Sequence, residues 1–236
     1  MTGHQADQDQ KRIAKIIGVS FMIMFFVGVF AEFSVRARLI QWDDPVRTYT
    51  TIRQALPLFD AGTFAWLVVI LLDVIVAAAF YVLLRTTNLF SAWLMVSLRL
   101  LYVAIKGAAL VGLALARDVV ASASTTNSVE AYAHQVMSFL KVHHLGFTVA
   151  LFFIGLHLVV LAHLLHQAQL APRLLVWLLL AGGIGYSLNS LASLFAPDSS
   201  LTSTIIIAVF VLPMTVAELS VGLWLWIKRD TLPWPL

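Results

Sequence analysis

Apolar residues fall into six long unbroken runs separated by short polar stretches. The runs extend approximately from Ile13 to Phe33, Gly62 to Leu84, Ala92 to Ala116, His144 to Leu165, Leu174 to Phe195 and Thr204 to Ile227. Each approaches or exceeds the ~20 helical residues that cross ~30 Å of hydrocarbon. The runs are continuous, not alternating, and backbone groups in lipid must be satisfied within their own segment. Helices are therefore predicted, not barrel strands. The expected fold is an all-α membrane protein, a six-transmembrane-helix bundle over residues 13–228. A polar lead, residues 1–12, is expected to be a disordered cytoplasmic segment, and residues 229–236 a cytoplasmic tail.

The connections on one side are tight: Arg85 to Ser91 and Gln167 to Arg173 leave no room for a further domain there. Two segments on the other side are longer and amphipathic. Asp44-Pro45 is a good helix start, with Asp as cap and Pro at the first helical position. Val46, Tyr49, Ile52 and Leu56 then make an apolar stripe. Asn127 or Ser128 caps a second predicted helix running to about Lys141, with Val129, Tyr132, Val136 and Leu140 on one face. Both read as short interfacial outer helices. Packing of the two on the span ends is the plainer alternative.

Composition agrees with lipid burial. The chain is 61% hydrophobic and 11% charged, against about 25% charged residues in soluble domains. The net charge is only +3, and Lys and Arg form no basic stripe, which argues against nucleic-acid binding. There is no cysteine, which removes disulfides, thiolate metal sites and Cys nucleophiles. Lys11, Arg12 and Lys15 precede the first run as in a signal peptide. The run continues to Phe33 without a small-residue cleavage pattern, so it reads as a retained span.

With the N-terminus inside, the inner flanks carry Lys11, Arg12, Lys15, Arg85, Arg173, Lys228 and Arg229. The outer flanks carry Arg36, Arg38, Arg47, Arg53, Arg117 and Lys141, together with Asp43, Asp44, Asp60, Asp118, Glu130 and Asp198. This bias favours cytoplasmic termini in a cytoplasmic (inner) membrane.

Ionisable residues inside spans cost ~2.5–3.5 kcal/mol each and usually face a partner or a wet cavity. Here they are Glu32 in span one, Asp73 in span two, Arg99 and Lys106 in span three, His157 in span four and Glu218 in span six, with Asn189 in span five. Arg99, Tyr102 and Lys106 recur at i, i+3 and i+7 and so share one face. Gly182, Tyr186, Asn189 and Ser193 form a small, polar stripe, and His143, Gly146, Ala150 and His157 share a face of span four. At 1.5 Å per residue, Asp73 lies ~16 Å from the inner end of its span, Arg99 ~11 Å and Glu218 ~14 Å. Arg99 is thus expected to meet Asp73, Glu218 or both. Lys106 lies at a depth suited to Glu32 or Asn189. Three acids against two bases leave one excess carboxyl, to be balanced by protonation, by Arg36 or by His157. Arg36 stands four residues after Glu32 and on the same helical face.

The histidines form no HExxH pattern and Ser no Gly-x-Ser-x-Gly elbow, so the sequence names no metal, cofactor or nucleophile. Pro213 is expected to kink span six before Glu218. No internal repeat is evident.

Several segments together resemble a known bacterial membrane family. They are AEFSVRARLI, LRLLYVAIKGAALVGL, HHLGFTVALFFIGLHLVVLAHLL, PRLLVWLLLAGGIGYSLNSL and LPMTVAELSVGLWLWIKR. The family is a domain of unknown function (number 4386), and the resemblance runs from Arg12 to Arg229. Its matching charged positions here are Glu32, Arg36, Asp73, Arg99, His157 and Glu218. The resemblance implies six spans in a bacterial membrane and implies no activity.

The residues favour a small-ligand or ion binding or permeation module centred on Asp73, Arg99 and Glu218. The expected partners are membrane lipids and a small ligand or another membrane protein. Two alternatives stand beside it: a structural or accessory subunit of a larger membrane complex, and an intramembrane lipid-modifying enzyme. A purely structural ion-pair network that fixes helix register is the plainer reading of the charges.

Overall fold

Long apolar helices account for nearly all of the chain that the computed structural model describes, which is residues 3–123, 128–195 and 212–234. Helix α1 covers Gly3–Val29 and continues through a π-helical stretch, Phe30–Arg36, into a short turn of helix, Ala37–Leu39. Then come α2 (Pro45–Gln54), α3 (Leu56–Leu84), α4 (Leu89–Ser122), α5 (Val129–Gln167), α6 (Arg173–Phe195) and α7 (Leu212–Lys228). There is no strand among the described residues. Among the described residues five helices are long and apolar enough to cross a membrane: Asp7–Leu39, Leu56–Leu84, Leu89–Ser122, Val129–Gln167 and Arg173–Phe195. The first part of the sixth expected span, Thr204 to Val211, lies outside the described residues, as does Asp198. Its remainder is the 17-residue helix α7.

Two expectations need correction. The polar lead, expected to be disordered, is helical from Gly3, and Lys11 pairs one turn back with Asp7 at 2.8 Å. The second outer helix is not a separate element. It is the first part of α5, whose 39 residues run on through Lys141, His143 and His144. No Gly or Pro interrupts the junction, so the fall in hydropathy there does not end the helix. At 1.5 Å per residue α5 is about 58 Å long, well beyond the hydrocarbon thickness. Its start is capped by Ser128, whose Oγ accepts from the Ala131 N–H at 3.2 Å; Asn127 lies outside the described residues. Helix α2 does begin as expected, with Asp44 accepting from the Arg47 N–H at 2.9 Å and Pro45 in the first turn. Tyr49 and Ile52 are buried in a protein core while Val46 is exposed, so α2 packs on the span ends.

The chain forms two compact units. One comprises Met1–Ile23, Leu72–Ala104 and Thr148–Leu236. It contains the ends of α3 and α5, the starts of α1 and α4, and all of α6 and α7. Its helices approach closely at glycines. A Cβ on Gly155 would fall 2.5 Å from the Gly183 carbonyl oxygen, so α5 and α6 meet nearly backbone to backbone. Ser187 and Ser190 of α6 donate to the carbonyls of Phe152 and Thr148 at 3.3 and 2.6 Å, satisfying their hydroxyls at the same contact. Gly222 of α7 leaves room for the Phe21 ring of α1, and Gly18 of α1 for Trp226. Helix α5 closes at Gln169 (φ 56°), and Leu170 donates back to Leu165. The Leu170 carbonyl in turn accepts from the Trp224 indole at 3.0 Å.

The other unit comprises Met24–Leu71 and Ile105–Phe147. Its core gathers Val35, Leu39, Tyr49, Ile52, Leu113 and Val136. Tyr49 stacks on Tyr132 with ring planes 10° apart. The large apolar side chains exposed on the outside, such as Phe33, Phe64, Phe90, Trp93, Trp177 and Phe195, suit acyl chains and the membrane interface.

Candidate functional site

A guanidinium stem long enough to bridge helices, set in the middle of an apolar span, has to find acceptors within protein. Arg99 on α4 does so with three partners, all in the first unit. Its Nη2 donates to Asp73 Oδ1 on α3 at 2.6 Å, and both side chains are 1% exposed. Its Nη1 donates to Glu218 Oε1 on α7 at 3.5 Å, where the carboxylate is 20% exposed. The same Nη1 lies 3.1 Å from His157 Nε2 on α5. Arg99 thus links four helices. The Nε–H, also buried, makes no hydrogen bond among the described residues.

Hydrogen bonding decides the state of His157. Guanidinium nitrogens only donate, so Nε2 accepts. Nδ1 stands 2.9 Å from the Met95 carbonyl oxygen, which only accepts, so Nδ1 carries the proton. His157 is a neutral ring and does not supply the positive charge that the sequence count allowed it. Among the described contacts of Arg99 there are two carboxylates and this neutral ring.

Above the guanidinium lies the Phe21 ring, 5.4 Å from Arg99 Cζ. This contact was not expected, and no sequence signal pointed to it. It depends on Gly222, where a Cβ would come within 2.6 Å of the ring, one turn beyond Glu218 on α7. Tyr102 is buried one turn along α4 and lies close enough to feel the charges of Asp73, Glu218 and Arg99.

The remaining predicted residues fall elsewhere. Lys106 completes the buried stripe with Arg99 and Tyr102 but belongs to the second unit. There its ammonium sits 4.9 Å from the Trp66 ring and 5.7 Å from that of Phe147. Such cation–π contacts stabilise a desolvated ammonium by ~0.5–2 kcal/mol. Glu32 is paired with Arg36 within the π-helical stretch, at 2.7 and 2.9 Å to Nε, the local pairing that the four-residue spacing allowed. Lys106 is therefore not the base that neutralises Glu32. Asn189 and Tyr186 are half-buried on α6, while Ser193 is exposed. The face of α6 that meets α5 is Gly183, Ser187 and Ser190, one position round from the expected stripe.

His143 joins His157 on the buried face of α5, as expected, and its Nδ1 is 3.1 Å from the Ala109 carbonyl oxygen. It borders a cavity of about 20 Å³ with Arg36, Thr63, Trp66 and Leu113. That volume holds about one water molecule. The described residues contain no group of three or more His, Asp or Glu side chains placed to hold a metal ion.

Residues 16–228 match the family described as "Domain of unknown function (DUF4386)", and the chain belongs to that family. No curated protein and no solved structure matches the chain.

Proposed function

We propose that this member of the DUF4386 family is a membrane-embedded module that binds or passes a small ligand or ion at the cluster of Asp73, Arg99, His157 and Glu218. The chain is read as crossing the cytoplasmic membrane of a bacterium six times, with both termini in the cytoplasm. The 17-residue helix α7 is the described part of the sixth expected span. Lys228 and Arg229 then follow that span on the inner side, as Lys11, Arg12 and Lys15 precede the first.

One observation carries the functional reading: the two acids on Arg99 are held unequally. Asp73 is a short, fully buried partner, as a register-fixing pair would be. Glu218 stands at 3.5 Å and is one-fifth exposed, a looser contact than a structural triad needs. A group held this way can exchange partners, whereas Asp73 cannot without unfolding its surroundings.

The test is reconstitution of the purified protein into vesicles carrying a pH-reporting dye or a radiolabelled monovalent cation. The parent should equilibrate one of these faster than protein-free vesicles. A paired Arg99→Leu, Asp73→Leu variant that still folds should not. Parent vesicles no faster than empty ones, with no small ligand raising the melting temperature of the solubilised protein, would overturn the reading. Co-purification of a stoichiometric membrane partner would then favour the accessory-subunit alternative.

A further inference from the structure

The cavity of about 20 Å³ in the second unit is bounded by Arg36 of the π-helical stretch, Thr63 and Trp66 of α3, Leu113 of α4 and His143 of α5. Its polar groups are of both kinds. Thr63 Oγ1 donates its hydrogen to the Phe59 carbonyl at 3.1 Å, so toward any other group this oxygen accepts. His143 is 5% exposed, and its Nδ1 stands 3.1 Å from the Ala109 carbonyl oxygen. Nδ1 therefore carries a proton, and Nε2 of the neutral ring is an acceptor. The Arg36 guanidinium and the Trp66 indole only donate. This pattern selects the occupant. The volume admits one water-sized group. A small anion only accepts and would face two acceptors. A metal cation would face the guanidinium, and the described residues gather no three His, Asp or Glu side chains to hold one. Water both donates and accepts, and so meets every group on the wall.

We propose that this cavity is a hydration site, in which one bound water ties the π-helical stretch to α3 and α5. The water donates to Thr63 Oγ1 and His143 Nε2 and accepts from Arg36. No covalent bond changes. The link falls where the backbone departs from α geometry, and single π turns are rare and concentrate at functional positions. The stretch already lies hard against α3, because a Cβ on Gly62 would come 2.6 Å from Val35. Glu32 holds the Arg36 guanidinium through Nε at 2.7 and 2.9 Å, which fixes the donor at the cavity wall. The site belongs to the second unit and stands whether or not the Arg99 cluster takes a ligand.

Pulsed X-ray hydroxyl-radical footprinting of the whole chain in vesicles tests this, because radicals born from a bound water oxidise the side chains that touch it. Leu110 and Leu113 make a matched pair: each is 6% exposed and both belong to one core, but Leu113 borders the cavity and Leu110 does not. Peptide mass mapping should find Leu113 and His143 oxidised and Leu110 spared. In heavy-oxygen water the added oxygen should be the heavy isotope. Thr63→Ser keeps the hydroxyl and should keep the label on Leu113. A Thr63→Val, His143→Phe pair removes both acceptors and should bring Leu113 down to the level of Leu110. Leu113 no more oxidised than Leu110 in the parent, a measurement that needs no variant, would overturn the proposal. Full labelling of Leu113 in a folded pair would overturn it too, since water would then be held without the two acceptors.

Discussion

Replacing Arg99 by leucine removes a guanidinium that joins α3, α5 and α7 to α4. Three contacts are lost together: the 2.6 Å bond to Asp73, the 3.5 Å bond to Glu218 and the 3.1 Å bond to His157. The largest consequence is at Asp73, which is 1% exposed and would be stranded as a buried charge or forced to take a proton. Breaking a buried pair from one side costs ~3–5 kcal/mol. At 1.4 kcal/mol per tenfold, the folded-to-unfolded ratio should fall by about two to three and a half orders of magnitude. The Phe21 contact adds ~0.5–2 kcal/mol to the loss. Asp73→Asn should cost less than Arg99→Leu, because Arg99 keeps Glu218 and His157. Glu218→Gln should cost least, since that contact is long and partly solvated. The assay is thermal denaturation in detergent, followed by fluorescence-detected gel filtration, on the three single variants and the Arg99→Leu, Asp73→Leu pair. The pair should recover a large part of the single loss, because neither residue is then left charged and alone. An Arg99→Leu protein as stable as the parent, or a pair no better than the single, would refute the reasoning.

Three further outcomes are expected. His157→Phe loses both the acceptor facing Arg99 and the donor facing Met95 and should lower the melting temperature more than His157→Gln, which can keep one of each; equal losses would contradict the neutral tautomer. Gly155→Val brings a Cβ to 2.5 Å from the Gly183 carbonyl and should destabilise the protein by at least ~1–3 kcal/mol, whereas Gly107→Ala meets nothing within 4 Å and should be neutral or slightly stabilising by the same thermal assay. The chain has no cysteine, so single cysteines at Gln8, Ser128 and Thr231 report topology cleanly: an impermeant thiol reagent on intact cells should label the one at position 128 alone, and labelling of the other two without it would reverse the orientation.

Hydropathy marked the first five spans well because lipid imposes one requirement on every residue of a crossing helix. It marked their ends poorly, because outside the hydrocarbon that requirement lapses. Lys141, His143 and His144 lower the hydropathy of α5, yet nothing in their backbone preferences stops a helix, and it runs unbroken for 39 residues. At Phe30–Arg36 no Gly or Pro intervenes either, yet the helix widens into π geometry. Val35 packs so closely on Gly62 that a Cβ there would lie 2.6 Å away. That register is set by tertiary packing, which a single run of residues does not encode.

The cluster around Arg99 was legible for a related reason. Depth in a transmembrane helix follows from counting at 1.5 Å per residue, so charges on different spans can be matched before any packing is known. That count brought Arg99 to Asp73 and Glu218, and both contacts form. It fails wherever rotation about the helix axis decides the outcome. Rotation puts Ser187 and Ser190 of α6 against α5 and leaves Ser193 exposed, though the expected stripe lay only one position away. It also aims the His157 Nε2 at Arg99, so the ring accepts from the guanidinium instead of adding a second positive charge beside it. Depth therefore finds which charges can meet, and rotation fixes what each one does. In this chain rotation sets Asp73 against Arg99 at 2.6 Å and Glu218 at 3.5 Å, so the two acids do not play the same part.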